Sequence, residues 1–359
     1  MKKLLNLIIL TVLLFCCKDD DKISADGKFN THENNRVSSL KMSKDEYSNW
    51  INKNGISNSE NLIKITNDVY SHFPDKFDFI IFILNQENSP GFSQMFLNVS
   101  NNVSGIGMGI FDNSSTYGSS GKLKGIIQLT TKNELTEGPS LHEIMHNWGN
   151  NIFETEKTSP TVGSSVKSIA NGKGAASHWG FTGGSTPGQL GGFQQSTLQS
   201  LGSDTYQVDD VKNKSGKILD PFKFDGSLKN LIPYNELELY LMGMIPISSV
   251  NDFDNFTSIT SRIGNGRGNP DTFIASSRTT YTPSLLEQLL GKRIPDSNNS
   301  QKHFDLLVIY LTEKNISEDE WKEFDAQAER FERKGDDGDE DNYNFWEATN
   351  GIGSVKIGI

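Results

Sequence analysis

The chain contains the stretch Leu141-His142-Glu143-Ile144-Met145-His146, in which two histidines stand four residues apart and a glutamate follows the first. On a helix these histidines project from the same face about one turn apart, so both imidazoles can reach one zinc ion at about 2.0–2.1 Å. Glu143 can then accept a proton from a water molecule that the metal makes more acidic. The stretch therefore predicts a zinc site with His142 and His146 as ligands and Glu143 as general base.

The residues around this stretch predict a strand, a turn and a helix in that order. Residues 123–131 have the apolar and β-branched composition of a strand. Residues 136–140, Thr-Glu-Gly-Pro-Ser, predict a turn that opens a helix running through Trp148, and Gly149 can end that helix. This order resembles the surroundings of the active-site helix in zinc peptidases of the zincin type, where the strand borders the substrate cleft.

A catalytic zinc ion usually has three protein ligands and one open position, so a third ligand is needed. The chain has six histidines, and we expect structural or exposed positions for His32, His72 and His303. The remaining candidates are His178, in Ser-His-Trp-Gly, and Glu238, which lies in an apolar segment where an unpaired charge would be costly to bury. The residues alone leave both candidates open.

A resemblance to metzincins bears on this choice. Residues 146–149, His-Asn-Trp-Gly, have a glycine three residues after the second histidine, but the usual third histidine would fall at Ile152, which cannot bind metal. Leishmanolysin-type metzincins have an insertion before the third histidine, which is followed by tryptophan, and the pair His178-Trp179 is similar to that arrangement. The resemblance implies a zincin/metzincin-like fold with zinc as its cofactor. The implied zinc ligands are His142, His146 and His178.

A later segment extends the resemblance. Residues 234–243, Tyr-Asn-Glu-Leu-Glu-Leu-Tyr-Leu-Met-Gly, resemble a motif of a group of uncharacterised bacterial secreted proteins that also contain H-E-x-x-H-x-W and a later His-Trp pair. Met242 or Met244 is the candidate for the methionine turn of metzincins. The matching segments lie between residues 141 and 246, roughly a third of the chain.

The N-terminus has the pattern of a secretory signal. Lys2 and Lys3 precede a mostly apolar run, residues 4–15, that is shorter than the about 20 residues of a spanning helix. The run ends in Cys16-Cys17, which resembles the lipobox of bacterial lipoproteins, with Cys17 as the lipidated residue. The acidic residues that follow resemble the export signal of surface lipoproteins in the Bacteroidetes group. We therefore expect an outer-membrane lipoprotein exposed at the cell surface; a plain signal peptide is the alternative.

Composition excludes several other functions. Lys plus Arg number 34 and Asp plus Glu 45, a net charge of −11, so nucleic acid is not expected as a partner. Both cysteines of the chain lie in the N-terminal processing segment, which excludes disulfides, cysteine-ligated zinc and a cysteine nucleophile from the folded part. The acidic run 336–341 lacks the ligand pattern of an EF-hand and predicts a solvated turn.

The rest of the chain predicts an α+β fold with a mixed sheet. Capping boxes predict helices after Ser43, Ser57 and Ser317, since a glutamate follows each by three residues. Residues 235–242 predict a short helix, and dense apolar runs predict strands at 77–84 and 304–311. The expected divisions are a signal peptide at 1–17, a flexible tether at 18–40, a zincin-like catalytic domain at 41–311, and a C-terminal helix and tail at 312–359 packed on that domain.

These features predict a zinc-dependent endopeptidase that cleaves a protein or peptide substrate and is attached to the membrane through its N-terminal lipid. Two other hypotheses stay open. One is a noncatalytic surface-binding lipoprotein that keeps a zincin scaffold, and the other is a metal-dependent amidase that acts on cell-wall peptides. The presence of Glu143 between the two histidines argues against the noncatalytic protein, because such a scaffold would tolerate its loss.

Overall fold

The structure is a computed structural model that describes residues 28–149, 152, 154–158, 165–169, 178–179, 183–219, 229–263 and 268–359. The predicted signal peptide and the lipidation site Cys17 lie outside these residues. Among the described residues, no helix has the length and apolar character needed to cross a membrane.

Helices and strands occur throughout the described residues, separated by turns and loops. The α-helices are α1 Lys44–Asn52, α2 Ser59–His72, α3 Glu134–Glu137, α4 Ser140–Met145, α5 Glu236–Met242, α6 Pro283–Leu290, α7 Glu318–Glu332 and α8 Phe345–Ala348. The strands are β1 Phe29–Thr31, β2 Ser38–Lys41, β3 Phe79–Leu84, β4 Met95–Asn98, β5 Ser100–Asn101, β6 Phe111–Asp112, β7 Gly125–Leu129, β8 Glu154–Thr158, β9 Ser165–Ile169, β10 Gln199–Gly202, β11 Thr205–Val208, β12 Val211–Lys212, β13 Ile218–Leu219, β14 Phe253–Ile263, β15 Asp271–Tyr281, β16 His303–Thr312 and β17 Ser354–Ile357.

The main sheet is mixed and has the order β1-β2-β16-β3-β7-β4, with β17 also paired to β16. Strands β2, β3 and β17 run parallel to β16, and β7 runs parallel to β3. The end strand β4 is antiparallel to β7. A separate four-stranded sheet has the order β10-β11-β15-β14. The expected α+β fold with a mixed sheet is therefore confirmed at this level.

The central strand β3 explains why the main sheet has helices on both faces. Its sequence, Phe-Ile-Ile-Phe-Ile-Leu, is buried along its whole length, as expected for a parallel strand covered on both sides. Because strand side chains alternate between faces, Phe79, Ile81 and Ile83 pack in one apolar cluster with α4, α5 and α7. Ile80 and Phe82 pack in the other cluster, with α1 and α2. Helix α4, which contains His142 and is followed directly by His146, thus lies on a defined face of the sheet.

Most predicted elements agree with the structure. The strands predicted at 77–84, 123–131 and 304–311 correspond to β3, β7 and β16, and the helix predicted at 235–242 corresponds to α5. The capping boxes of Ser43 and Ser317 are both present. The box predicted at Ser57 is wrong, because residues 55–57 form a 3-10 turn and the N-cap of α2 is Asn58.

Two predicted boundaries differ from the structure. Strands β1 and β2 lie within the range predicted as a tether, because Phe29 and Leu40 are buried and β2 pairs with β16. The helix predicted to run through Trp148 is regular only as far as Met145. Beyond that point the backbone N–H of Trp148 bonds to the carbonyl of Met145, a tighter turn of the 3-10 type.

The C-terminal residues belong to the core of the main sheet. Helix α7 buries Trp321, Phe324 and Phe331 against the same cluster as α4, and β17 adds Val355 and Ile357. The predicted packing of the C-terminal helix therefore extends to a strand pairing with β16.

Replacement of Ile357 by alanine is expected to lower the free energy of unfolding by about 2–5 kcal/mol, because it leaves a cavity in the core. The side chain of Ile357 is only 3% exposed. The matched control is Lys356→Ala on the exposed face of the same strand, with an expected change within about 0.5 kcal/mol. Urea denaturation followed by tryptophan fluorescence measures both, and equal losses would contradict the packing of β17 in the core.

Candidate metal centre

Helix α4 is held in place by residues that are distant in the sequence. It has only six residues, and its N-cap, Pro139, offers no side-chain hydrogen bond. The side chain of buried Asn230 caps the start of α4 instead. Its Oδ1 accepts from the backbone N–H of Leu141 at 3.2 Å, and its Nδ2 donates to Ser140 Oγ at 2.9 Å. The hydroxyl of Tyr234 donates to the carbonyl of Leu141 at 2.8 Å. The segment before α5 therefore caps the helix that bears the histidines.

Three imidazoles converge beside α4. The Nε2 atoms of His142 and His146 are 3.1 Å apart, and the Nε2 atoms of His142 and His178 are 3.0 Å apart. All three histidines lie within reach of a single metal ion. The geometry thus brings together His142, His146 and the histidine that the resemblance implied, His178, which is 36 residues after His142.

The orientation of His142 is set by its second ring nitrogen. His142 Nδ1 lies 2.7 Å from the carbonyl oxygen of Gln189. A carbonyl can only accept a hydrogen bond, so Nδ1 bears the proton and donates it. In the neutral ring, Nε2 then has the lone pair and points it toward the other two imidazoles. This is the tautomer that a metal ligand requires.

Glu143 is a buried carboxylate, 5% exposed, on the same helix. Its side chain makes no hydrogen bond or ion pair with any other residue in the described ranges. Burial raises the pKa of Glu143 to about 8, and the negative charge of Glu134 adds to the rise. A cation held by the histidines would counteract this rise, because a nearby opposite charge favours the carboxylate.

Glu238, the alternative third ligand, has another role in the structure. It is fully buried, and its carboxylate oxygens accept from the backbone N–H groups of Gln189 at 3.0 Å and Leu190 at 2.6 Å. Burial raises the pKa of Glu238 to about 8, while these backbone hydrogen bonds oppose the rise. Within the described ranges, the group of possible ligands around His142 does not include Glu238.

The other three histidines lie away from this cluster. The ring of His32 stacks on Trp321, and the ring of His72 lies against Phe29. His303 is half exposed at the start of β16. In the acidic run, Asp336 and Asp337 lie close to Glu347, but such exposed acidic groups commonly occur without a bound ion.

No protein family, curated protein or solved structure matches this chain. Assignment of a function therefore depends on the geometry and chemistry of the residues themselves.

The residues that support the histidines were not identified from the sequence. Asn230 and Gln189 act through hydrogen bonds to segments distant in the sequence, which no local pattern indicates. Glu238 did leave a signal: Asn235 and Glu238 have the spacing of a capping box, and the structure contains that box at the start of α5. Asparagine is as good an N-cap as serine, so this box could have been predicted.

Replacement of Tyr234 by phenylalanine removes the hydroxyl that donates to Leu141, and we expect it to lower the free energy of unfolding by about 0.5–1.5 kcal/mol. The matched control is Tyr310→Phe. The hydroxyl of Tyr310 is buried without a hydrogen-bond partner among the described residues, so its removal is expected to be neutral or stabilising. Thermal and urea unfolding of both variants test this, and a larger loss for Tyr310→Phe would contradict the assigned role of Tyr234.

Proposed function

We propose that this protein is a zinc-dependent endopeptidase that resembles the metzincins in its ligand arrangement. The observation that supports the proposal most directly is the convergence of His142, His146 and His178 beside the buried carboxylate of Glu143, which has no hydrogen-bond partner among the described residues. A set of three imidazoles with a neighbouring general base suits hydrolysis by an activated water molecule. Anchoring through a lipid on Cys17, at the outer surface of the cell, remains a prediction from the sequence.

The donor set fits zinc. Two imidazole nitrogens at about 2.0–2.1 Å from one tetrahedral ion are about 3.4 Å apart, and the separations of 3.0 and 3.1 Å in this structure are within a few tenths of an ångström of that value. Imidazole nitrogens without thiolates suit zinc better than calcium or magnesium, which prefer oxygen ligands. The chemistry that zinc supplies when bound is that of a Lewis acid, which polarises a carbonyl and makes water more acidic.

Glu143 is suited to move the proton in this reaction. Its carboxylate would take a proton from the attacking water and deliver it to the nitrogen of the leaving amine. A general base works best with a pKa near the pH of operation. Burial raises the pKa of Glu143 to about 8, and a bound cation would lower that pKa, so the two effects oppose each other.

The end strand β4 supports a peptide as substrate. In the described part of the chain, no strand pairs with its outer edge. All four of its residues are partly exposed, and the side-chain amide of Asn98 donates to the carbonyl of His146 at 3.3 Å. The end of β4 therefore lies close to His146, which follows α4. An extended peptide could add to the outer edge of β4 through main-chain hydrogen bonds, which would bring it beside the histidines.

Glu143→Gln is expected to retain zinc and to lower kcat/KM for peptide cleavage by about 10²–10⁴-fold, because glutamine cannot accept the proton. Zinc content by elemental analysis and cleavage of casein and of a mixture of synthetic peptides by mass spectrometry test this on the full chain. Glu137→Gln is the control, since Glu137 is half exposed and precedes α4.

Other outcomes would contradict the proposal. Unchanged cleavage by Glu143→Gln would remove Glu143 from the mechanism. A zinc-loaded wild-type protein that cleaves no peptide would support the noncatalytic binding protein, and hydrolysis of cell-wall peptides alone would support the amidase.

Loss of an outer hydrogen-bond partner of a metal ligand usually weakens metal binding about 10–100-fold. His178→Ala is expected to weaken zinc binding more than this, because it removes a ligand itself. His303→Ala is the matched control, since His303 is half exposed and outside the cluster. Competition with a chelator of known affinity measures both variants. Full zinc affinity in His178→Ala would show that the third ligand is another residue.

A further inference from the structure

The segments that bear the three histidines donate hydrogen bonds to the carbonyls of two consecutive residues, Gln189 and Leu190. The carbonyl of Gln189 accepts from His142 Nδ1 at 2.7 Å, and the carbonyl of Leu190 accepts from the backbone N–H of Trp179, next to His178, at 2.6 Å. Residues 189–190 therefore connect helix α4 to the segment of the third histidine. A shift of these two residues would move both imidazoles.

The N–H groups of the same two residues point to Glu238. Its Oε2 accepts from Gln189 and its Oε1 from Leu190. The approach is close: a side-chain carbon added to Gly188 would lie 2.4 Å from Glu238 Oε2. Only glycine therefore allows the loop to reach the carboxylate without displacing it.

Glu238 is itself fixed by the start of α5. Its Oε2 accepts from the backbone N–H of Asn235 at 3.1 Å, and Asn235 Oδ1 accepts from the backbone N–H of Glu238 at 3.0 Å. Asn235 Nδ2 also donates to the carbonyls of Gly183 and Gly191. The side chain of Glu238 is thus held in one orientation, facing residues 189–190.

A carboxylate is the group that this position requires. It only accepts hydrogen bonds, and it accepts through two oxygens, so it can bind the N–H groups of both Gln189 and Leu190 at once. Glutamine has the same shape but would direct its NH₂ group at a backbone N–H. A fully buried carboxylate is costly, and a helix cap alone could use an exposed side chain. The cost of burying this carboxylate therefore indicates that Glu238 does more than cap α5.

We propose that Glu238 is the positioning residue of the metal centre: it holds residues 189–190 so that their carbonyls orient His142 and the segment of His178. The proposal rests on the proposed zinc site. Loss of this support would leave the three histidines in the chain but without a fixed arrangement.

Glu238→Gln is expected to weaken zinc binding about 10–100-fold, the usual effect of losing an outer partner of a metal ligand. The matched control is Glu236→Gln. Glu236 lies on the same helical turn and bonds to the same loop, but at the backbone N–H of Ser185, so its loss is expected to change zinc affinity by less than about threefold. Chelator competition with the full-length protein measures both.

Gly188→Ala tests whether the position of the Glu238 carboxylate matters, separately from its charge. It keeps the negative charge of Glu238 but displaces the carboxylate, so zinc affinity should fall as in Glu238→Gln. Gly109→Ala is its control, since a side-chain carbon there would meet no atom within 4 Å. If Gly188→Ala binds zinc as the wild type does, the effect of Glu238 is electrostatic and the proposed positioning role is wrong.

A second readout needs no metal. In the metal-free protein with ¹⁵N-labelled histidine, the proton on His142 Nδ1 should give a slowly exchanging NMR signal, because it is hydrogen-bonded to Gln189. The signal should be lost in Glu238→Gln and kept in Glu236→Gln, and its persistence in Glu238→Gln would overturn the proposal. A wild-type protein that binds no zinc would refute the proposed function instead, while this measurement would still test Glu238.

Discussion

The candidate centre depends on the hydrogen bond between the imidazole of His142 and the carbonyl of Gln189. With Nδ1 and the oxygen 2.7 Å apart, the bond fixes both the tautomer and the plane of the ring. Because the next carbonyl, that of Leu190, accepts from Trp179, the same turn of chain sets the position of the third histidine. The convergence of the imidazoles is therefore a property of one loop as much as of helix α4.

Helix α4 would not be stable without contacts to the rest of the fold. Isolated helices as short as its six residues are unstable in water, because the first turn costs more than its hydrogen bonds return. The helix is stabilised by burial of Leu141 and Ile144 against the main sheet and by the side chains of Asn230 and Tyr234 at its start. The site is thus built from a sheet face, a distant capping segment and a glycine-rich loop, and each of them restrains a different part of the helix.

The prediction of the fold succeeded where the signal was local. The buried run of β3 and the capping boxes of α1 and α7 each involve residues close in sequence, so their hydrogen-bonding and burial patterns can be read directly. It failed for residues 29–40, where a polar, aperiodic sequence forms strands because β16 offers an edge to pair with. Pairing partners are long-range, and a short strand has no periodicity strong enough to predict them.

The sequence by itself determined that His142 and His146 share a helical face with Glu143 between them, because helical periodicity is set by the backbone alone. Only the tertiary structure decided that His178 approaches them and that Glu238 binds the backbone of residues 189–190. From the sequence alone, a buried glutamate in an apolar segment is equally consistent with a metal ligand and with a residue that holds a loop in place. The difference depends on which groups the fold brings within about 3 Å of its oxygens, since hydrogen bonds and metal bonds act only at that range.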